Sequence, residues 1–238
     1  MSTARPSGEA FPPRRRSQWL RILYENSLSL VLVLLFVASL VAQIAAGRAT
    51  YNEERAEQGK SAVSVPAYLG TGHFVEALFE NWESEFLQMA AFVLLSVKLR
   101  QKGSAEPKPI DEPFDSDEDP RRHRADPNAP WPVRRGGLVL ILYEHSLSIA
   151  FGLLFAFSFA MHALGGSWAD NEQRLAQGKP ARSLLEFTSS SEFWFQSFQN
   201  WQSEFLAVIS IVVLTIFLRE RGSPQSKPVA ERHATTGD

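Results

Sequence analysis

Two glutamates are the residues of this sequence whose surroundings could support chemistry. Glu85 lies in the heptad NWESEFL and Glu204 in the heptad NWQSEFL, and each heptad leads into a run of apolar residues. A carboxyl group inside a membrane could bind a proton or a cation, because intramembrane ionisable residues are rare and often functional. Alternatively, neutral glutamates could hydrogen-bond to amides and hydroxyls and so join helices. The structural interpretation is favoured, since the sequence offers two such carboxyls and no identifiable substrate cavity.

Helical spacing places further polar side chains beside these glutamates. Asn81, Ser84 and Glu85 share one helix face at spacings i, i+3 and i+4, and the second heptad repeats that face. A glutamine and a histidine occupy equivalent positions near the outer ends of the neighbouring apolar segments. We therefore predict one intramembrane polar cluster, which contains Glu85, Glu204, Asn81, Asn200, Ser84, Ser203, Gln43 and His162.

Other glutamates of the first heptad region have no acidic counterpart in the second. Glu80 corresponds to Gln199 and Glu83 to Gln202, whereas Glu85 is retained as Glu204. This comparison predicts that positions 80 and 83 do not need an ionisable group.

Four apolar blocks must position the cluster. Ser27–Gly47 and Ser146–Gly166 each lack Asp, Glu, Lys and Arg, and about 20 such residues cross a hydrocarbon core of about 30 Å as a helix. The blocks near residues 78–99 and 193–218 are strongly apolar only in their second halves, so the heptads must supply part of each span. The sequence thus predicts an all-α integral membrane fold with four transmembrane helices.

The chain contains an internal repeat. An offset of 119 residues aligns positions 22–109 with 141–228 without a gap, and roughly 40% of the aligned residues are identical, far above chance. Each copy carries two apolar blocks, so the two predicted hairpins have the same orientation in the membrane. We predict a disordered basic N-terminus at 1–16, hairpins at 17–105 and 137–224, a disordered linker at 106–136 and a disordered tail at 225–238.

Basic residues predict the orientation. They cluster before the first and third blocks and after the second and fourth, so both termini and the linker should be cytoplasmic. The two outer loops should begin as continuations of the first and third helices, ending at Gly59 and Gly178, which suit helix C-caps. On those extensions, Arg55 and Arg174 are predicted to be solvated surface residues.

Several functional classes are disfavoured. The chain has no cysteine, which excludes disulfides, thiolate nucleophiles and cysteine-ligated metals. The interleaved charges give no footprint for nucleic acid.

The first block could be a cleaved signal peptide, but its internal copy cannot, so we expect an uncleaved anchor. His73 and His162 raise the alternative of b-type haem, yet neither recurs in the other copy. We predict no metal, no cofactor and no enzymatic activity.

The repeat units also resemble a known family. The segments GHFVEALFENWESEFLQMAAFVLLSVKLRQKGSAE, DPRRHRADPNAPWPVRRGG, LYEHSLS and FWFQSFQNWQSEFLAV are similar to bacterial integral membrane proteins with domain of unknown function 6766. The resemblance covers about residues 17–228 and implies a bacterial cytoplasmic (inner) membrane protein. It implies no activity, substrate or catalytic residue.

These observations predict a non-enzymatic, multi-pass inner-membrane protein with a structural, scaffolding or sensing role. The alternative is a small proton- or cation-coupled transporter or channel that uses the paired intramembrane glutamates. The predicted partner is the lipid bilayer, with a homo-oligomer or another membrane protein left open.

Overall fold

The computed structural model describes residues 18–105 and 114–234, in which the regular elements are helices. The all-α prediction is confirmed. The predicted disordered N-terminus, residues 106–113 of the predicted linker and residues 235–238 of the predicted tail lie outside the described residues. The α-helices are α1 (Gln18–Glu25), α2 (Ser27–Glu57), α3 (Val65–Tyr68), α4 (Gly72–Ser96), α5 (Trp131–Arg135), α6 (Gly137–Glu144), α7 (Ser146–Ala176), α8 (Leu184–Thr188) and α9 (Ser191–Phe217).

The helices recur with the offset of the sequence repeat. Helices α6, α7, α8 and α9 each begin 119 positions after α1, α2, α3 and α4, respectively. Helices α2 and α7 both contain 31 residues. Both extend well beyond their apolar blocks and end just before Gly59 and Gly178, each with φ of 71°. The prediction that these helices continue beyond their apolar blocks until a glycine is confirmed.

Contacts divide the chain into two units, Met1–Val65 and Pro66–Asp238. In the first unit, the segment after α2 folds back onto the end of that helix. The amide N–H of Val63 donates to Asn52 Oδ1 over 2.7 Å, and Arg55 Nε donates to the carbonyl of Ser61 over 2.8 Å. Arg55 therefore holds this loop while it stays partly exposed on the helix surface.

The second unit repeats this arrangement and strengthens it. The amide N–H of Arg182 donates to Asn171 Oδ1 over 2.8 Å, and Arg174 Nε donates to the carbonyl of Pro180 over 2.9 Å. Arg174, like its counterpart, holds a loop. Arg182 also forms a two-point ion pair with Asp170, at 2.6 and 2.8 Å, and lies across the ring of Phe187. The hydrogen-bonded ion pair with Asp170 raises the pKa of the Arg182 guanidinium.

Within the second unit, α4 packs along α7 and also against α9. Small residues allow the backbones of α4 and α7 to approach closely. A Cβ atom added to Gly165 would lie 2.5 Å from the backbone nitrogen of Glu76, and one added to Gly72 would clash with the backbone of Ala169. This packing brings the acidic face of α4 against α7.

Three helices are long and apolar enough to cross a membrane: α2, α7 and α9. The expectation of four such helices is corrected, because α4 does not meet that standard. Every 18-residue stretch of α4 contains at least three of the glutamates at positions 76, 80, 83 and 85.

The described part of the predicted linker, residues 114–136, forms two 3-10 turns followed by α5. Beyond α9, residues 219–234 form turns without a helix. Neither segment contributes to the site described next.

Candidate functional site

A single buried carboxylate joins three helices of the second unit. Glu83 on α4 has no solvent-exposed surface, and neither has His162 on α7. The Oε2 atom of Glu83 lies 2.9 Å from Nδ1 of His162, and its Oε1 atom accepts a hydrogen bond of 3.0 Å from the indole Nε1 of Trp201 on α9. Both carboxylate oxygens are therefore bound by protein groups from two different helices.

Two more glutamates of α4 are bound by amide side chains of α9. Gln196 Nε2 donates to Glu76 Oε1 over 3.0 Å, and Asn200 Nδ2 donates to Glu80 Oε1. Residues at 76, 80 and 83 follow the spacing i, i+4 and i+7, which places them on one helix face. The acidic face of α4 is thus covered by donors rather than exposed. We call Glu76, Glu80, Glu83, His162, Gln196, Asn200 and Trp201 the carboxylate network.

Aromatic rings cover the network. The ring of Phe193 lies over the His162 imidazole with centroids 4.9 Å apart, and Phe193 is itself completely buried. Phe155 packs edge-on against Trp201. These rings lower the local polarity, so each hydrogen bond in the network is stronger and an unpaired group would be more costly than in water.

Some buried polar atoms of this region lack a hydrogen-bond partner within the described residues. They include Nε2 of His162, Oε1 of Gln196 and the hydroxyls of Ser158 and Ser197. Among the described residues, no group of three or more His, Asp or Glu side chains is placed to hold a metal ion.

A comparison with protein-family models shows which family the chain belongs to. The family model for the domain of unknown function DUF6766 matches residues 16–238. The chain belongs to the DUF6766 family. Comparisons with curated proteins and with solved structures find no match. The family expected from the sequence is thus confirmed.

The residues predicted as a cluster have different surroundings in this DUF6766 protein. His162 is buried in the carboxylate network, and Asn200 takes part through Glu80. Glu85 is exposed and Glu204 half-buried, within electrostatic range of each other. The remaining predicted residues bond within their own helices or lie elsewhere: Asn81 donates to Ala77, Ser84 to Asn81 and Ser203 to Asn200, while Gln43 belongs to the first unit.

Sequence reasoning missed Glu83, the central residue. Its counterpart in the second copy of the repeat is Gln202, so position 83 was predicted not to need an ionisable group. Its partner His162 also changes, to Gln43 in the other copy. The acid Glu83 and the base His162 thus occur together at one pair of positions. The equivalent pair of positions holds two amides, Gln202 and Gln43. That joint change was the signal available in the sequence.

Proposed function

We propose that this protein is a non-enzymatic, multi-pass membrane protein with a structural or scaffolding role. In this role, the carboxylate network holds α4, α7 and α9 together. The observation that carries the proposal is that Glu83 is completely buried with both oxygens bound, by His162 and Trp201. Helices surrounded by lipid gain no hydrophobic free energy by associating, so close packing and polar contacts must join them. The network and the glycine contacts supply both.

The proposal includes α4 as a fourth membrane-spanning helix. With 25 residues, it is about 37 Å long at 1.5 Å per residue, enough to cross a bilayer core. Its glutamates disfavour insertion of an isolated helix, but Glu76, Glu80 and Glu83 are bound by α7 and α9. Once the bundle forms, those three carboxyl groups face partners rather than lipid. Both hairpins then return the chain to the side on which each begins.

We place the protein in a bacterial inner membrane with both termini and the linker in the cytoplasm, following the basic residues at one set of helix ends. Because the chain has no cysteine, single cysteines at Ala62, Ala181 and Ser116 can be tested with an impermeant thiol reagent in intact cells. The first two should react and the third should not. Reaction at Ser116 with protection of both loops would reverse the orientation.

A second candidate function is proton transport through the bundle. The observation that favours it is the buried contact between the Glu83 carboxyl group and the His162 imidazole, two groups that can each bind and release a proton. Such a pair could pass a proton from one group to the other. A metal cation fits less well, since both Glu83 oxygens already bind protein donors.

Proteoliposomes distinguish the two functions. Proton flux would be measured for the native protein, for Glu83→Gln and for Glu85→Gln, the last being a control at an exposed position of the same helix. The structural role predicts that the native protein adds no flux to that of empty liposomes. A native flux that Glu83→Gln abolishes, while Glu85→Gln and the folded state are unaffected, would overturn it in favour of transport.

A further inference from the structure

A groove of about 260 Å³ lies at one end of the second unit, where α4 and α9 finish. Its walls are apolar side chains. Phe92 and Leu95 lie near the end of α4, Leu99 follows that helix, and Ile211 and Val212 lie near the end of α9. The volume exceeds the cavity of about 150 Å³ that accepts benzene but falls below the range of about 300–1,000 Å³ of sites for whole drug-sized ligands. The groove therefore suits one section of a hydrocarbon chain.

The rim of the groove is polar and lacks acidic residues. Its exposed polar lining residues are Arg100, Gln101 and Gln225, and neither Asp nor Glu is among the lining residues. Arg100 is exposed, and within the described residues its guanidinium makes no hydrogen bond or ion pair. An arginine can donate two parallel hydrogen bonds to a phosphate. The rim thus offers an unused anion-binding group beside an apolar slot.

The groove is continuous with an apolar helix surface. Ile209, Ile211 and Leu214 of α9 are each at least half exposed, and α9 is a candidate membrane span. Lys98 and Lys102 lie in the segment that follows α4, and Arg221 in the segment that follows α9. A molecule with a hydrocarbon chain along α9 would therefore place a charged end group at this basic rim.

We propose that the groove between the ends of α4 and α9 binds an anionic phospholipid, with one acyl chain against Phe92, Leu95 and Ile211 and the headgroup phosphate on Arg100. This rests on the proposed membrane embedding, but it does not depend on how α4, α7 and α9 are held together. The binding is noncovalent. It would give the protein a preference for membranes rich in acidic lipid.

Native mass spectrometry of the purified full-length protein tests the selectivity. Detergent-solubilised protein is mixed with phosphatidylglycerol or with phosphatidylcholine of identical chains, and the bound fraction is measured. A basic residue near an anionic lipid contributes enough free energy for a preference of about fivefold. Arg100→Gln should remove that preference, whereas Arg221→Gln, at the same end of the bundle but outside the groove, should retain it. Equal loss in both variants would show a general surface charge effect and overturn the site.

Filling the slot tests the acyl-chain part separately. Ser96→Phe places a ring in the groove and should lower binding of both lipids, whereas Ser210→Phe, on α9 but not lining the groove, should not. Thermal unfolding midpoints close to that of the native protein confirm that the variants fold. Displacement of the lipid by soluble glycerol phosphate would identify a free-anion site and overturn the proposal. Recovery of the protein without membranes after cell fractionation would instead contradict the membrane embedding itself.

Discussion

Replacing Glu83 by alanine should separate α4 from α7 and α9 more effectively than any other single carboxyl deletion on α4. The substitution removes an acceptor that binds two helices at once, His162 at 2.9 Å and Trp201 at 3.0 Å. Glu83 and His162 are completely buried, and Trp201 is partly buried. The imidazole and the indole N–H would be left without the partner that they have in the native protein.

The structure sets the size of this effect. Two donors that lose a buried acceptor cost about 1–3 kcal/mol each, and breaking a buried ion pair costs about 3–5 kcal/mol in soluble proteins. Polar contacts between membrane helices are weaker, with measured values of about 0.6–1.7 kcal/mol each. Two such contacts give a loss of about 1–3 kcal/mol for Glu83→Ala. Glu83→Gln keeps an acceptor for Trp201 and should lose about half as much, since one of the two contacts remains.

The free energy of unfolding can be measured by titrating the protein with a denaturing detergent in mixed micelles. Glu85→Ala is the matched control, because Glu85 lies on the same helix but is exposed, and surface changes usually fall within about 0.5 kcal/mol. Combining Glu83→Ala with His162→Ala should cost less than the sum of the two single changes, since both remove one contact. If Glu83→Ala and Glu85→Ala destabilise equally, the carboxylate network does not hold the bundle.

Two further predictions concern the helix contact and a helix cap. Gly165→Ala should destabilise the bundle by about 1–3 kcal/mol, because the added Cβ would meet the backbone of α4. Gly152→Ala, on the same helix but with open space around it, should have no such effect. Equal destabilisation by the two substitutions would refute the close approach of α4 and α7. At α8, hydrogen bonds from the backbone N–H and hydroxyl of the N-cap serine lower the pKa of Glu186. Its stabilising effect is therefore complete above the ordinary pKa of about 4.3 and lost as pH falls through the lower folded value. Hydrogen exchange of the α8 amides, corrected for intrinsic rates, should accelerate in that acidic range in the native protein but show no such step in Glu186→Gln.

Helix limits could be predicted from the sequence because they depend on local signals. Gly59 and Gly178 end long polar extensions without proline, and the left-handed conformation at each is readily adopted only by glycine. The roles of Asn52 and Asn171 could not be read in the same way. Their hydrogen bonds reach 11 residues along the chain, and such contacts depend on how a loop folds back.

The centre of the site was not predicted, because helix rotation decides which side chains face a neighbour. The heptads drew attention to Glu85 and Glu204 as the repeated acidic residues. In the structure, α4 turns Glu83 inward and leaves Glu85 exposed. Two positions along a helix correspond to about 200° of rotation, so neighbouring glutamates can have opposite surroundings. A contact across 79 residues leaves no local pattern in a single sequence.

The proposed joining of α4 to α7 depends most directly on the contact between Glu83 and His162 in a lipid bilayer. Solid-state NMR of protein in liposomes, with ¹³C-labelled glutamate carboxyls and ¹⁵N-labelled histidine, measures the separation of the carboxyl carbon and Nδ1. Glu118 and His123 form a second carboxyl–imidazole pair, through the other ring nitrogen, so the spectrum of Glu83→Gln is needed for assignment. We predict a dipolar coupling corresponding to about 4 Å or less that disappears in Glu83→Gln. A spectrum unchanged by that substitution would show that the two residues do not meet in the membrane.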